Sequence, residues 1–363
     1  MAAVATLTPA ERWRLAAHRA GTHSLLVWPP VAVAVLVNAS VRKGSLEIDL
    51  ARAYLPAAHA VVHGQSPYTP LMLNGLARGS EFVYPPTAAW LAAPLAALPL
   101  GVAEGIWLAL MIGCVVGTLL LLGVRDWRCH MVAFLWLPTY SALQTGNLAL
   151  PLALGIAAVW RYRDRRVVAG LAAGALAALK LYLWPVALWL VLTRRFRAGI
   201  VAVVTAAAVL ALSWAPIAFA GLRGYPHLVT SLTRLERGNA YTVAALLAPG
   251  SSWTVATLVA TVFGLAALAL AWRWARLGDE RGALVCVLAA TLLLTPIVWM
   301  EYFVLLLVVV GLYARRLSPL WLVPLALWVG PQGSANGRPW QTALVLCLVA
   351  FVFVVAPFAS SRA

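Results

Sequence analysis

RYRDRRVVAGLAAGALAALKLYLWPVALWLVLTRRFR, residues 161–197, carries the pattern that decides the fold. Two arginine clusters, Arg161–Arg166 and Arg194–Arg197, bracket an apolar stretch that one charge, Lys180, interrupts near its middle. A lysine left at the centre of a bilayer would be costly. A hairpin resolves this: one limb leaves the arginine side, the chain turns at Lys180, and a second limb returns. Each limb is shorter than the ~20 residues of a straight crossing. Tilted, kinked or half-length helices are therefore expected.

The same grammar runs through all 363 residues, of which 63% are hydrophobic and only 10% charged. Soluble domains carry about 25% charged residues. This chain cannot cover itself with a water-compatible surface, so the bilayer is its solvent. The expected fold is an all-α polytopic transmembrane bundle of about ten to twelve spans. The net charge of +16 comes from 27 Lys and Arg against 11 Asp and Glu. Those basic residues sit in short clusters between apolar runs, which reads as topology control and not as nucleic-acid binding. Lysine occurs only at Lys43 and Lys180, while arginine and alanine are abundant. That composition suits a GC-rich bacterium and hence its inner membrane. Cys114, Cys129, Cys286 and Cys347 are far apart in apolar surroundings and form neither a metal pattern nor a disulfide framework.

Seven clusters mark one side: Arg12–Arg19, Arg125/Arg128, Arg161–Arg166, Arg194–Arg197, Arg273–Arg281, Arg315/Arg316 and Arg362. They hold 18 of the 27 basic residues and are assigned to the cytoplasm. Residues 1–24 form a cytoplasmic segment and 25–358 a single integral-membrane domain, with a tail at 359–363. The first span, 25–39, reads as an uncleaved signal anchor, because Pro29-Pro30 interrupts it and no small-residue cleavage pattern follows. Residues 40–86 form a long extracytoplasmic loop, and 87–100 a re-entrant or interfacial helix ahead of a span at 102–123. Paired segments follow at 130–143 and 146–160, 167–179 and 181–193, 198–220 and 251–272, 282–297 and 300–314, and 318–331 and 341–358. No internal repeat and no inverted pair of broken segments stands out, which weakens a transporter reading.

The external apices collect the unusual polar residues. The first loop holds Glu47, Asp49 and Glu81. From Leu46 to His63 its sequence reads as an amphipathic helix on the membrane surface, with Tyr54, Ala57 and Val61 on one face, Pro56 as a break and Gly64 as a stop. Asp49 falls near its start, where a carboxylate either favours the helix end or serves as general base for a hydroxyl acceptor. His59 and His63 are four apart but lack a third ligand, so no metal site is expected, although the sequence leaves a divalent cation open.

Asp49, Tyr54, Gly64-Gln65-Ser66-Pro67-Tyr68, Tyr84-Pro85-Pro86 and Pro94-Leu95-Ala96-Ala97-Leu98-Pro99 follow one another in an order that resembles glycosyltransferase family 87, polyprenyl-phosphate-mannose-dependent α-mannosyltransferases of the GT-C superfamily. The resemblance continues at Gly146-Asn147-Leu148, Ala178-Leu179-Lys180-Leu181-Tyr182 and Thr295-Pro296-Ile297-Val298-Trp299, and covers roughly residues 45–315. It implies transfer of a sugar, mannose first, from polyprenyl phosphate to a hydroxyl of an envelope glycolipid or glycan, with inversion and no cofactor. Asp49 matches the loop aspartate expected to act as base. The resemblance implies a pocket formed by Tyr54, Tyr68, Tyr84, Asn147, Tyr182, Trp299 and Glu301, the last standing where members often carry His. A leaving phosphate needs fixed cations. Lys180 is the candidate inside the apolar body, and Arg223, Arg234 and Arg237 are external candidates that break the positive-inside trend. The alternatives are an arabinosyl or other glycosyl transferase of the same fold, and a non-enzymatic lipid or solute transporter.

Overall fold

The computed structural model describes residues 8–42, 44, 46–68, 82–331 and 336–359, and every regular element among them is helical. Lys43, Glu81 and Arg362 lie outside the described residues. Among the described residues five helices are long and apolar enough to cross a membrane: His23–Arg42, Leu100–Leu121, Phe196–Ile217, Trp253–Arg276 and Pro339–Phe358. Leu137–Thr145 and Ala149–Arg161 form a further pair, bent by 118° at the break between them. Four shorter apolar helices, Arg166–Leu179, Leu181–Leu192, Met300–Tyr313 and Pro319–Val329, are the truncated limbs foreseen from the arginine spacing.

Local sequence explains where these elements stop. Gly278 at φ +82° ends Trp253–Arg276, and the Asp279 carboxylate accepts from the Gly282 N–H to start Glu280–Leu294. Gly170 and Gly174 let Arg166–Leu179 lie directly on Phe196–Trp214. A Cβ at Gly170 would sit 2.7 Å from the Ala198 carbonyl, and one at Gly174 would strike the Ala202 carbonyl. Small residues four apart are the usual device for such close approach in membranes.

The arginine loops gather at one end. Glu280 accepts from Arg163 Nε at 2.8 Å and from Arg195 Nη1 at 2.7 Å, and Arg195 Nη2 reaches Asp164 at 2.7 Å. These bonds tie the loops before Arg166, Phe196 and Glu280 together. Arg125, Arg128, Arg315 and Arg316 line a second cleft around Asp126. Lys180, Asn147 and Glu301 stand at the opposite ends of the helices that carry Arg166, Arg161 and Arg315. The one-sided map drawn from the arginines therefore corresponds to two distinct ends of the bundle.

Residues 87–100 remain a segment that does not cross, and other expectations change. Residues 87–100 hold the helix Pro86–Ala92 and a 3₁₀ turn, Ala93–Leu95. Seven residues rise about 10 Å against a hydrocarbon layer of ~30 Å, so this segment does not span. The segment at 130–143 is two helices, Trp127–Phe134 and Leu137–Thr145, because Trp136 is extended and Pro138 opens the second. The expected surface helix is a π-turn, Leu50–Tyr54, running into the helix Leu55–Val62. Its Leu50, Tyr54, Ala57, Ala58 and Val61 face is buried in the protein, not laid on lipid, while Arg52, Pro56 and His59 stay exposed. Pro56 sits in the first turn of Leu55–Val62, where proline is tolerated, and does not split it.

The two-ended charge distribution gives a topology test. In a cysteine-free background, a cysteine replacing Ser66 reacts with an impermeant thiol reagent in cells with a permeable outer layer, and one replacing Arg163 does not. Labelling of the second and not the first overturns the assignment of sides.

Candidate functional site

Two helix breaks meet at the end away from the arginines. At the first, Gly146 adopts φ +68° and caps Leu137–Thr145, so the chain turns before Ala149–Arg161 begins. The Trp107 indole donates to the Gly146 carbonyl at 2.9 Å and steadies the turn. At the second, Lys180 is extended between Arg166–Leu179 and the turn Leu181–Leu183. Asn147, fully buried, joins them. Its Oδ1 accepts from Lys180 Nζ at 3.0 Å and from the Ala149 N–H at 3.1 Å. Its Nδ2 donates to Asp49 Oδ2 at 2.8 Å and to the Tyr84 hydroxyl at 3.1 Å. One carboxamide thus holds a carboxylate at one end and an ammonium at the other.

Asp49 occupies the N-cap position of the Leu50–Tyr54 turn but its side chain makes no capping bond. The carboxylate turns to Asn147 instead. Burial pushes its pKa upward, while the Asn147 hydrogen bond and the Lys180 charge pull it back. A base whose pKa lies nearer neutrality is better matched to proton abstraction.

Lys180 is 4% exposed and surrounded by rings. Its Nζ lies 4.3 Å from the Tyr302 ring centre, 5.1 Å from Tyr84 and 5.9 Å from Tyr182. Tyr182 and Tyr302 stack with centroids 5.0 Å apart at 9°. Ring faces attract a cation without neutralising it, which leaves the charge available to an anion. Glu301, also buried, accepts from Ser141 Oγ at 3.3 Å and lies within electrostatic reach of Lys180 and Asp49. Tyr54 meets Tyr84 edge-on at 5.3 Å, and Trp299 meets Tyr302 edge-on at 6.1 Å.

The structure thus brings Asp49, Tyr54, Tyr84, Asn147, Lys180, Tyr182, Trp299 and Glu301 into one cluster. Tyr68, expected in the pocket, instead anchors the first loop beside the cluster. Its hydroxyl donates to the Tyr84 carbonyl at 2.6 Å, and its ring stacks on Trp214 at 5.4 Å. The Tyr225 hydroxyl donates to the Val83 carbonyl at 3.2 Å. Arg223, Arg234 and Arg237 stand apart from the polar network. Arg223 and Arg234 are exposed, and the Arg237 guanidinium covers the Trp253 ring at 4.3 Å. Sequence reasoning missed Tyr302 and Ser141. Tyr302 adjoins Glu301 in the chain, which was a usable signal; Ser141 carried none.

The sequence matches the profile of glycosyltransferase family 87 over residues 82–298. The chain belongs to glycosyltransferase family 87. Among curated relatives, the polyprenol-phosphate-mannose-dependent alpha-(1-2)-phosphatidylinositol pentamannoside mannosyltransferase of Mycobacterium tuberculosis (strain CDC 1551 / Oshkosh) is 28% identical over 71% of this chain. The protein of the same description from Mycolicibacterium smegmatis is 26% identical over 70% of it. The chain spans 60% and 63% of the length of those relatives. No solved structure matches it. The family 87 match contains Tyr84, Asn147, Lys180 and Tyr182, whereas Asp49 precedes it and Glu301 follows it.

Glu47, two residues before Asp49, lies apart from this hydrogen-bond network. It precedes the π-turn with φ +48°, its N–H donates to the Gln144 carbonyl at 2.5 Å, and its side chain is fully buried against Gly146. Neither carboxylate oxygen has a hydrogen-bond partner among the described residues. Burial and then the charge of Glu104 push its pKa from 4.5 to about 8, so it is protonated at neutrality.

Two stability predictions follow from these contacts. Asn147→Ala strips partners from Lys180, Asp49 and Ala149, and orphaning a buried polar group costs about 1–3 kcal/mol. The variant's thermal midpoint in detergent falls by several degrees; an unchanged midpoint means the carboxamide does not hold the cluster. For Glu47 the folded pKa lies above the unfolded one, so its contribution is fully present below pH 4.5 and is lost as pH rises to about 8. Glu47→Gln cannot ionise, so its midpoint gains on the wild type across that window. Parallel pH profiles rule out a raised pKa.

Proposed function

We propose that this chain is an integral-membrane glycosyltransferase that moves mannose from a polyprenyl phosphate to a hydroxyl of an envelope glycolipid or glycan. The observation that carries the reading is the Asp49–Asn147–Lys180 relay, a carboxylate and an ammonium fixed on the two ends of one buried side chain. Family membership and the names of the curated relatives supply the sugar and the lipid phosphate.

Asp49 accepts the proton from the acceptor hydroxyl, and that oxygen attacks the anomeric carbon. The bond from that carbon to the phosphate oxygen breaks, and polyprenyl phosphate departs with the electron pair. Attack opposite the leaving group inverts the configuration. The phosphate gains charge as the bond breaks, and Lys180 offsets it. A fixed cation in a water-poor site stabilises such charge far more than it would in water. Trp299, Tyr54, Tyr84 and Tyr182 supply ring faces for the sugar, and Glu301 a hydroxyl-binding carboxylate. The site lies at the end of the bundle opposite the arginine loops, which supports an extracytoplasmic active site by the positive-inside rule.

Purified protein given labelled polyprenyl-phosphate mannose and a membrane lipid extract produces a labelled glycolipid. Asp49→Asn keeps the shape but not the base and loses about 10²–10⁴ in turnover while donor binding persists. Wild-type turnover by this variant removes Asp49 from the mechanism. Lys180→Ala weakens donor affinity about tenfold to a hundredfold, the scale of a lost charge-assisted hydrogen bond. Lys180→Arg rescues it poorly, because a planar guanidinium is broader than the ammonium now held between Asn147 and the Tyr302 ring. If neither donor affinity nor turnover changes in Lys180→Ala, the phosphate binds elsewhere.

A further inference from the structure

At the arginine end of the bundle, a cleft of about 470 Å³ is lined by five arginines, Asp164, Phe196 and Ala198. Two helices, Arg166–Leu179 and Phe196–Trp214, begin there. Gly170 lies against the Ala198 carbonyl and Gly174 against the Ala202 carbonyl, so the register rises in the same direction on both helices. The helices are therefore parallel, and their N-termini stand side by side. Each N-terminus carries about half a positive charge, which acidic residues in the first turn ordinarily offset. Neither helix has an acidic first turn, and neither N-cap side chain bonds its own helix. Arg166 and Arg197 occupy the first turns instead. The carboxylates at hand are already engaged, Glu280 by Arg163 and Arg195 and Asp164 by Arg195. Arg166, Arg194 and Arg197 are exposed and form no ion pair with a described residue.

The positive-inside rule explains arginines on this side of the membrane. It does not explain their convergence on two helix starts. The second arginine cleft shows the difference. There Arg125 and Arg315 follow the C-termini of Leu100–Leu121 and Leu305–Tyr313, where cations are favoured, and Asp126 caps Trp127–Phe134. In the first cleft, Arg194 also holds φ +63°, a left-handed backbone where glycine is the ordinary residue. Like charges and like dipoles meet here, and an anion between them would relieve both.

The surroundings say which anion. Phe196–Ile217 is long and apolar enough to cross the membrane, so its first turn stands at headgroup level. Phe196, Ile200, Val203 and Val204 follow one another along one face of that helix, and all are exposed. A soluble phosphate would leave this apolar wall unused. A phospholipid covers both parts: its phosphate accepts from guanidinium forks and helix N–H groups, and its acyl chains lie along the wall.

We propose that this cleft binds an anionic phospholipid, preferentially one whose headgroup carries two phosphates, as cardiolipin does. The site is at the opposite end of the bundle from Asp49 and Lys180, and its test needs no sugar transfer. Purified full chain in detergent is mixed with cardiolipin, with phosphatidylcholine or with inorganic pyrophosphate at matched concentration. Native mass spectrometry counts retained lipid, and the thermal midpoint is read in parallel. Cardiolipin is retained and raises the midpoint by several degrees, as a ligand of the folded state does; phosphatidylcholine is not retained. The double variant Arg166→Gln with Arg197→Gln keeps the bridges of Glu280, so its midpoint in phosphatidylcholine matches the wild type. Its cardiolipin affinity falls at least about tenfold, the scale of a lost charge-assisted hydrogen bond. Either single variant, measured alone if the double one does not fold, shows a smaller fall in the same direction. Unchanged affinity in these variants overturns the proposal. So does an equal fall in Arg315→Gln with Arg316→Gln, which would make the binding a matter of total charge. An equal rise in midpoint with pyrophosphate overturns the lipid in favour of a soluble anion.

Discussion

A charged ammonium deep in a low-dielectric bundle is the constraint that the rest of the site satisfies. An uncompensated cation there would neutralise or destabilise the fold. Lys180 is accommodated by an amide oxygen, three aromatic faces and two carboxylates within electrostatic reach. None of these forms a close ion pair with it, so the cation is solvated by the protein without being quenched. Both helix breaks serve this arrangement. If Leu137–Thr145 continued straight into Ala149–Arg161, Asn147 would lie along a helix flank and could not bond Lys180, Asp49 and the Ala149 N–H together. The left-handed turn at Gly146 turns that side chain inward.

The two ends of the bundle use charge in opposite ways. At the arginine end, charges lie at the surface, and the bridges from Glu280 to Arg163 and Arg195 pair some of them. Such pairs contribute little stability individually, but they tie three loops and fix the level at which the helices begin. Within the site cluster there are few charges, they are buried, and their partners are amides and rings. The same helices connect the two regimes, so the topological signal and the chemistry are set by one set of segment lengths.

That connection explains what the sequence made legible. Arginine clusters report chain ends and sides because the membrane penalises misplaced charge locally, and the lone Lys180 was conspicuous for the same reason. Asp49, Asn147, Tyr84 and Glu301 could be named through the order of short motifs. Long-range packing was not legible. The face carrying Tyr54, Ala57 and Val61 was found correctly by its periodicity, yet periodicity does not say whether an apolar face meets lipid or protein. It meets protein, alongside Pro86–Ala92. The burial of Glu47 carried no signal in the sequence, because it depends on a positive φ and on contact with Gly146, about a hundred residues away. Trp136 and Pro138 broke a segment that hydropathy alone had joined.

Tyr68 acts on the cluster without entering it. Its hydroxyl bond to the Tyr84 carbonyl and its stacking on Trp214 tie that part of the first loop to the bundle. Asn147 grips the Tyr84 hydroxyl in turn. One tyrosine thereby registers the loop backbone against the same side chain that holds the carboxylate and the ammonium. A residue that touches neither charge helps to fix where the loop meets both.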